Sequence, residues 1–273
     1  MKTPSATLLA LASLAIAACN LLPSMRASAL DEAITAEHRT PAFRERDRYR
    51  HPKETLEFFG VKPDQTVVEI WPSSGWYTEI LAPYVRERGK YYAAGFVIAN
   101  ENAPAYRREI AQAYALKLTA QPKLYDRVVV TELGRPDRWT ACPPGTADLV
   151  LTFRNVHNWM NADYETEMFQ AFNAALKPGG VLGVVEHRAK PGTSREQMKK
   201  SGYVTEELVI EVAEAAGFKL DARSEINANP KDTKDHPEGV WTLPPTLRLG
   251  EQDREKYLGI GESDRMTLRF VKP

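Results

Sequence analysis

The sequence predicts an α/β fold with a doubly wound, mostly parallel sheet. From Thr66 onward, short apolar runs alternate with amphipathic helical segments. The first run, 66–71, shows no polar alternation, which is typical of a strand covered on both faces of a sheet. Repeated strand-then-helix units favour parallel strands with right-handed crossovers. A chain of 273 residues with 43% hydrophobic content is long enough to bury one such core.

The apolar runs and their punctuation place each element in order. The predicted strands are 66–71, 91–96, 127–131, 148–153, 181–186, 218–224 and 266–271. The predicted helices between them are 76–88, 103–118, 162–176 and 205–216. Glycines or a Lys-Pro-Gly-Gly turn mark most of the helix ends. Prolines and glycines spread through 226–262 exclude a regular helix or strand there, so we expect either an ordered flap or an excursion over the sheet edge.

The N-terminus predicts export. Lys2 precedes an apolar run, 6–18, that has about the length of the hydrophobic region of a signal peptide and is too short to cross a bilayer. Two endings fit. Ile16-Ala17-Ala18-Cys19 resembles a lipobox, which would remove 1–18 and leave a lipid on Cys19, whereas Ala27-Ser28-Ala29 fits simple cleavage after residue 29. Either ending predicts the bacterial periplasm, with membrane attachment only through the lipid. The alternative is a buried N-terminal helix.

Two further regions follow the leader. Residues 30–64 are polar and charged, and 53–59 has a helical pattern that ends at Gly60. This predicts an N-terminal helical extension laid against the main domain, 65–273.

The composition limits the kinds of ligand that the chain is expected to bind. Lysine and arginine together number 36, as do aspartate and glutamate, so no basic excess indicates nucleic acid. Cys19 and Cys142 are the only cysteines, which excludes a disulfide framework if Cys19 is lipidated or removed. The five histidines show no metal-ligand spacing along the chain. We therefore expect a small-molecule substrate and no metal.

In doubly wound sheets, ligands bind beyond the carboxyl ends of the strands. The first predicted strand carries Glu69 and runs into Trp71-Pro72-Ser73-Ser74-Gly75 before a helix. Small residues let a ligand approach the backbone, and free amides at a helix start favour polar or anionic groups. This turn is the first candidate binding segment.

The second candidate segment follows the strand 148–153. Arg154, Asn155, His157, Asn158 and Trp159 form a polar and aromatic cluster that packing alone does not explain. The alternatives to a functional role are structural: a hydrogen-bonded core or capping histidine at His157, and turn formation by the two asparagines.

The third candidate segment is Glu186-His187, at the end of the strand 181–186. Histidine titrates near neutrality, so this pair is suited to positioning a substrate or moving a proton. The alternative is a surface pair between Glu186 and Arg188.

Taken in order, the three segments resemble class I S-adenosylmethionine-dependent methyltransferases. The resemblance covers 66–271 and implies a seven-stranded, Rossmann-like sheet with an antiparallel last strand. Four stretches also look like an exported bacterial subgroup of predicted methyltransferases: Tyr49-Arg50-His51-Pro52, Gly75-Trp76-Tyr77-Thr78, Arg154 to Trp159, and Arg265-Met266-Thr267-Leu268.

The resemblance implies a site for S-adenosylmethionine and a role for each matching residue. The implied cofactor-binding residues are Glu69, Trp71, Ser73, Gly75, Tyr77, Gly95 and Asn155. Trp71 and Ser73 stand where the family usually has glycine, and Gly95 stands where it has an acid that holds the ribose hydroxyls. Losing that acid costs about 1.5–3 kcal/mol, or tenfold or more in affinity. Glu101 is a candidate substitute.

The resemblance also implies catalytic and substrate-side residues. His157 is the first candidate for the base, His187 the second, and Arg154 is suited to orient an anionic acceptor. The implied substrate or lid residues are Tyr49, Arg50, His51, Asn158, Trp159 and Trp241.

Two other functions compete with methyl transfer. The divergent turn, the absent second-strand acid and the predicted export favour a non-enzymatic binding protein that keeps the fold. A nicotinamide-dependent oxidoreductase is disfavoured, since the chain has neither the G-x-G-x-x-G turn nor the acid.

Overall fold

Seven strands form one mixed sheet in the computed structural model, which describes residues 28–99 and 103–273. The strands are β1 Thr66–Ile70, β2 Lys90–Gly95, β3 Val128–Glu132, β4 Ala147–Phe153, β5 Leu176–His187, β6 Lys219–Ser224 and β7 Arg265–Val271. Their order is β3-β2-β1-β4-β5-β7-β6, and only β7 runs antiparallel to its neighbours. The predicted fold class, including the antiparallel last strand, is confirmed.

Helices cover both faces of this sheet. In the first half of the chain they are α1 Ala29–Thr35, α2 Pro41–Arg44, α3 Asp47–Arg50, α4 Pro52–Phe59, α5 Thr78–Val85, α6 Ala105–Ala120 and α7 Pro122–Tyr125. In the second half they are α8 Val156–Asn161, α9 Glu165–Ala175, α10 Arg195–Ser201, α11 Glu206–Ala215, a 3₁₀ turn Gly239–Thr242 and α12 Arg254–Ile260.

The apolar runs of the central strands fill two cores, one on each face of the sheet. Along β1, Val68 and Ile70 join one buried cluster while Val67 joins the other. This is the alternation that a pleated strand imposes. All three side chains are buried, which explains why the run carries no polar alternation.

Three predicted boundaries need correction. Strand β5 begins at Leu176 and takes in the Lys-Pro-Gly-Gly segment, because the backbone of Gly179 and Gly180 pairs with Lys272 near the end of the chain. The polar cluster after β4 contains the short helix α8. The expectation that 226–262 holds no regular helix was wrong, since its prolines end at Pro245 and helix α12 follows them.

The N-terminal helices pack directly on the sheet. Leu56 and Phe59 of α4 are almost wholly buried in the cluster that contains β1 and α5. The indole Nε1 of Trp76 donates to the carbonyl oxygen of Phe43 at 2.9 Å. Buried Glu79 accepts hydrogen bonds from the backbone N–H and the hydroxyl of Thr40 at 2.8 and 2.6 Å. These contacts fix the extension over the carboxyl end of β1.

The segment 226–262 is held in place by buried polar groups. Asp232 accepts hydrogen bonds from the Tyr203 hydroxyl at 3.0 Å and from the backbone N–H of Asp264 at 2.8 Å. The Asn227 amide donates to Thr55 Oγ1 of α4 and to Thr267 Oγ1 of β7. Such buried, satisfied side chains order a long connection. These contacts hold the segment, called the flap below, in a defined conformation.

Several predictions fall on residues outside the described part. The leader, Cys19 and the lipobox lie within 1–27, and Glu101 lies within 100–102. Cys142 is buried and free, in keeping with a packing residue. Over residues 28–99 and 103–273, no helix is long and apolar enough to cross a membrane.

The contact of α4 with β5 makes a stability prediction. A Cβ added at Gly183 would lie 2.7 Å from Leu151 Cδ2 and 2.8 Å from Phe59 Cδ1. Gly183→Ala should therefore lower the free energy of unfolding, measured in urea, by about 1–3 kcal/mol. Gly259→Ala is the control, since it adds a methyl group to open space in α12. Equal stability of the Gly183 variant would contradict this packing.

Candidate active site

The turn after β1 bends through three left-handed residues. Trp71, Ser73 and Gly75 have φ values of 48°, 55° and 81°. Glycine adopts this conformation freely, whereas other residues accept it at a cost of about 1–2 kcal/mol each. The backbone thus explains why glycine suits these three positions, and this chain keeps the bend with glycine at only one of them.

The Trp71 side chain is anchored in the core beside the turn. Its indole Nε1 donates to the carbonyl oxygen of Leu133 at 2.9 Å. Its ring lies 4.6 Å from the ring of Phe96 and 5.5 Å from that of Trp159. Burial of an aromatic ring contributes a few kcal/mol, which offsets the backbone cost.

Three adjoining cavities open around this turn, at the carboxyl ends of the strands. The apolar cavity, of about 100 Å³, includes Trp71, Gly95, Phe96, Tyr114 and Glu132 in its lining. The central cavity, of about 220 Å³, includes Glu69, Trp71, Ser73, Tyr77, Arg154, Asn155 and Asn158. The arginine cavity, of about 290 Å³, includes Arg46, Arg50, Arg154, His157, His187, Trp241, Glu262 and Arg265. Pro72 and Ser73 line all three, so the turn is their common floor.

Glu69 belongs to a buried hydrogen-bond network at the central cavity. Its carboxylate accepts from the Tyr91 hydroxyl and, at 3.1 Å, from Thr78 Oγ1. The Tyr114 hydroxyl lies 3.1 Å from Thr78 Oγ1. Burial raises the pKa of Glu69 from its usual 4.5 to about 7, although Tyr91 and Thr78 oppose the shift. The carboxyl group is therefore held ready to exchange a proton near neutrality.

Tyr77 and Asn155 form other parts of the central cavity. The Tyr77 ring stacks on Phe153, with centroids 3.6 Å apart, and burial raises its pKa to about 12. The Asn155 amide donates to the carbonyl oxygen of Ile70 at 2.9 Å. That bond ties the end of β4 to the end of β1 and uses one of the two N–H groups of the Asn155 amide.

His157 and Glu186 form a dyad in the arginine cavity. His157 Nδ1 lies 3.0 Å from a carboxylate oxygen of the fully buried Glu186. A carboxylate only accepts, so Nδ1 carries the hydrogen and Nε2 is left as a proton acceptor. The backbone N–H of His187 also donates to Glu186, at 2.7 Å. A carboxylate that orients an imidazole in this way is the arrangement of a general base.

His187 stands beside the dyad. Its Nδ1 lies 2.6 Å from Ser263 Oγ, and its ring centroid is 5.3 Å from that of His157. Burial, reinforced by His157, holds its pKa well below the usual value. His187 is therefore neutral at physiological pH.

Three arginines converge on one buried carboxylate, that of Glu262. Glu262 pairs with Arg46 Nε at 2.5 Å, with Arg50 Nε at 3.4 Å and with the Arg265 guanidinium. Burial alone would raise the pKa of Glu262, but the surrounding arginines hold it well below its usual range. Glu262 is thus a permanent anion.

One cluster in the described part has the spacing of a metal site. Ligand atoms of His157, Glu186 and His187 all lie within 4.8 Å of one another. Spacing along the chain did not indicate this group, because His157 lies in α8, whereas Glu186 and His187 end β5. Two imidazoles and a carboxylate suit a transition metal, but the arginines beside them repel a cation. The absence of a metal stays a prediction.

The same arrangement of strands occurs in solved methyltransferases. A methyltransferase from Aquifex aeolicus, dependent on S-adenosylmethionine, superimposes with a TM-score of 0.56 at 17% identity, covering 86% of this chain and 95% of that one. A putative sarcosine dimethylglycine methyltransferase from Galdieria sulphuraria gives 0.53 at 14%, covering 84% of each chain. A geranyl diphosphate methyltransferase solved with S-adenosylmethionine gives 0.53 at 14%, covering 84% and 87%.

The chain has the fold of class I methyltransferases. The resemblance read from the sequence is confirmed at that level. No family model matches the chain, and no curated protein does either. The [4+2]-cyclase SpnF also shares the fold, with a TM-score of 0.52 at 17% identity over 82% of this chain and 80% of that one. Proteins with the class I methyltransferase fold thus catalyse more than one type of reaction, so the function must be inferred from the residues of the site.

Most of the predicted site residues meet around the turn. The cavities bring together Arg50, Glu69, Trp71, Ser73, Tyr77, Gly95, Arg154, Asn155, His157, Asn158, His187 and Trp241.

Four predicted site residues lie outside the cavity linings. Gly75 faces α6, where an added Cβ would lie 3.1 Å from Tyr114. Trp159 is fully buried in the core against Phe172. The backbone carbonyl of Tyr49 accepts from Arg265, and His51 is the left-handed residue between α3 and α4.

Sequence reasoning missed the other half of the arginine cavity. No sequence pattern assigns a role to Arg46 or to Glu262, and Arg265 stands in one of the stretches that resemble the methyltransferase subgroup without a role of its own. Glu132, which lines the apolar cavity, looked like an ordinary strand end. The dense charge run 44–50 was the one signal that pointed to the arginines.

The buried Glu69 network makes a pH prediction. The folded pKa lies above the usual 4.5, so the stabilising contribution is complete below pH 4.5, falls as pH rises, and is gone above about 7. Across that window the free energy of unfolding should fall by about 3 kcal/mol more in the wild type than in Glu69→Gln. Urea unfolding at pH 5 and pH 8 measures the difference. Exposed Glu87→Gln is the control, and parallel pH profiles for wild type and Glu69→Gln would refute the assignment.

Proposed function

We propose that the protein transfers a methyl group from S-adenosylmethionine to a small acceptor. The observation that carries the proposal is the row of three cavities over the turn after β1, in a fold shared with enzymes of that chemistry. The turn lies where β1 meets β4 and the winding of the sheet reverses, which is the usual ligand crevice. We further propose that the protein acts after export, as the leader predicts.

The residues present fit the parts of S-adenosylmethionine. The apolar cavity, with Phe96 and Ile98 in its lining, suits an adenine ring. Gly95 offers no carboxylate for the ribose, but Glu132 pairs with it in register on β3 and lines the same cavity. The Glu132 carboxylate accepts from the backbone N–H groups of Ile98 and Ala99 at 2.9 and 3.3 Å. Glu132 is thus placed to replace the missing acid.

The central cavity suits the amino-acid end of the cofactor. Glu69 supplies a carboxyl group for the ammonium. When bound, S-adenosylmethionine supplies an electrophilic methyl group. The arginine cavity adjoins on the far side of Arg154, so it would receive the acceptor.

His157 is the proposed base. Its Nε2 would take the proton from a hydroxyl or amine of the acceptor, while Glu186 stabilises the imidazolium through Nδ1. His187 keeps a neutral imidazole next to it, so the pair does not carry two positive charges. Trp241 and Val240 of the flap line the same cavity and would exclude water.

A second candidate is a binding protein that has lost catalysis. The observation that favours it is Trp71, a residue of both the apolar and the central cavity that stands where the resemblance implies glycine. A bulky ring there narrows the passage that a cofactor spanning both cavities must use.

Calorimetry with S-adenosylhomocysteine and S-adenosylmethionine separates these functions. Methyl transfer requires saturable, one-to-one binding of both, with the product competing against the donor. Absence of heat at millimolar concentrations of either compound would reject the methyltransferase and leave the binding protein.

The role given to Glu132 has its own test. Glu132→Gln keeps a carbonyl oxygen for Ile98 and Ala99 but removes the charge, so the loop stays anchored. Affinity for S-adenosylhomocysteine should fall about tenfold, and affinity for 5′-methylthioadenosine should fall equally, because both contain the ribose. Glu87→Gln, far out on the surface, should bind as the wild type does. Unchanged affinity in Glu132→Gln would exclude it as the ribose ligand.

A further inference from the structure

The arginine cavity carries far more positive than negative charge. Four guanidinium groups line it, those of Arg46, Arg50, Arg154 and Arg265, against the single lining carboxylate of Glu262. They come from α3 and its flank, from the end of β4 and from the start of β7. Glu262 already accepts from three of them, which leaves the fourth without a direct ion pair.

That fourth group is Arg154. In the described part of the chain, its guanidinium makes no hydrogen bond and no ion pair, and its φ of 61° is left-handed. Burial, aided by the positive charge of Arg265, lowers its pKa to about 10. The pKa of Arg50 is lowered as well, by burial and by Arg154 itself. A partly buried charge that lies close to other positive charges and has no ion-pair partner is costly to keep, and Arg154 lines both the central and the arginine cavity.

A small oxyanion resolves this imbalance. Guanidinium groups bind carboxylates and phosphates through short, charge-assisted hydrogen bonds. The alternative occupant, a divalent cation on His157, Glu186 and His187, would add positive charge beside four arginines. The volume of about 290 Å³ lies at the small end of ligand pockets.

We propose that the arginine cavity is an oxyanion subsite, in which Arg154, with Arg50 and Arg265, binds the carboxylate or phosphate of a small acidic acceptor. The proposal rests on the proposed function and adds the substrate class to it. The hydroxyl or amine that receives the methyl group would then face His157 Nε2, in the same cavity.

Inorganic phosphate is the probe, titrated calorimetrically at low salt with and without saturating S-adenosylhomocysteine. Phosphate should bind in both cases, since the subsite belongs to the acceptor. Arg154→Met should weaken phosphate at least tenfold, whereas Arg223→Met, an exposed arginine of β6, should not. Without ligand, Arg154→Met should unfold at the wild-type temperature or about 2–4 °C above it, since the variant removes a charge that neighbouring arginines repel and that has no direct partner in the described part of the chain.

The outcomes separate the two proposals. Phosphate that competes with S-adenosylhomocysteine but not with 5′-methylthioadenosine, which lacks the carboxylate, would assign Arg154 to the cofactor and overturn the acceptor subsite. Equal phosphate affinity in wild type and Arg154→Met would overturn it too. If phosphate binds through Arg154 while S-adenosylhomocysteine does not bind, the oxyanion subsite stands and methyl transfer is what fails.

Discussion

Glu262 joins three distant parts of the chain at one buried point. Arg46 and Arg50 reach it from the N-terminal helices, Arg265 reaches it from the last strand, and Glu262 itself ends the flap. A carboxylate buried among several guanidinium groups stabilises the fold only if both of its oxygens are paired, and both oxygens of Glu262 are paired. Without this junction, the extension and the flap would have no charged contact across the cavity that they cover. Glu262 therefore supplies the charged contact that joins the extension, the flap and β7 at the wall of the arginine cavity.

The sheet could be predicted because its signals are local. Each buried strand is a short apolar run bounded by glycine or proline, and the covered faces leave no polar alternation to confuse the reading. The candidate segments were found for the same reason, since Glu69, Arg154 and Glu186 all follow or end such runs. Strand order and the antiparallel last strand came from family resemblance, because pairing across the sheet is not written in any one segment.

The remaining site residues could not be predicted, because their roles depend on contacts between distant parts of the chain or on the direction in which a side chain points. Arg46 and Glu262 are separated by more than two hundred residues, and nothing near either one marks the other. Trp159 follows a polar cluster, yet helix α8 turns its side chain into the core while His157, two residues earlier, faces the cavity. A helix sends neighbouring residues to different faces, whereas the sequence predicts a single cluster in which Trp159 also contacts the substrate. The neutral His187 likewise depends on burial that sequence does not reveal.

Charge also constrains how donor and acceptor share the site. S-adenosylmethionine brings a positive sulfonium, and in the proposed arrangement it lies beside Arg154 and Arg50, whose charges oppose it. An anionic acceptor in the next cavity would neutralise those arginines and so lower the cost of binding the donor. Thermodynamic linkage makes the effect reciprocal. The bound donor would raise the affinity for the acceptor by the same factor by which the bound acceptor raises the affinity for the donor. The neutral thioether product would not be repelled in this way, so its binding would not depend on an anionic neighbour. In the proposed arrangement, the arginine-rich wall, which is unfavourable beside a cationic cofactor when the acceptor is absent, would couple cofactor affinity to the presence of substrate.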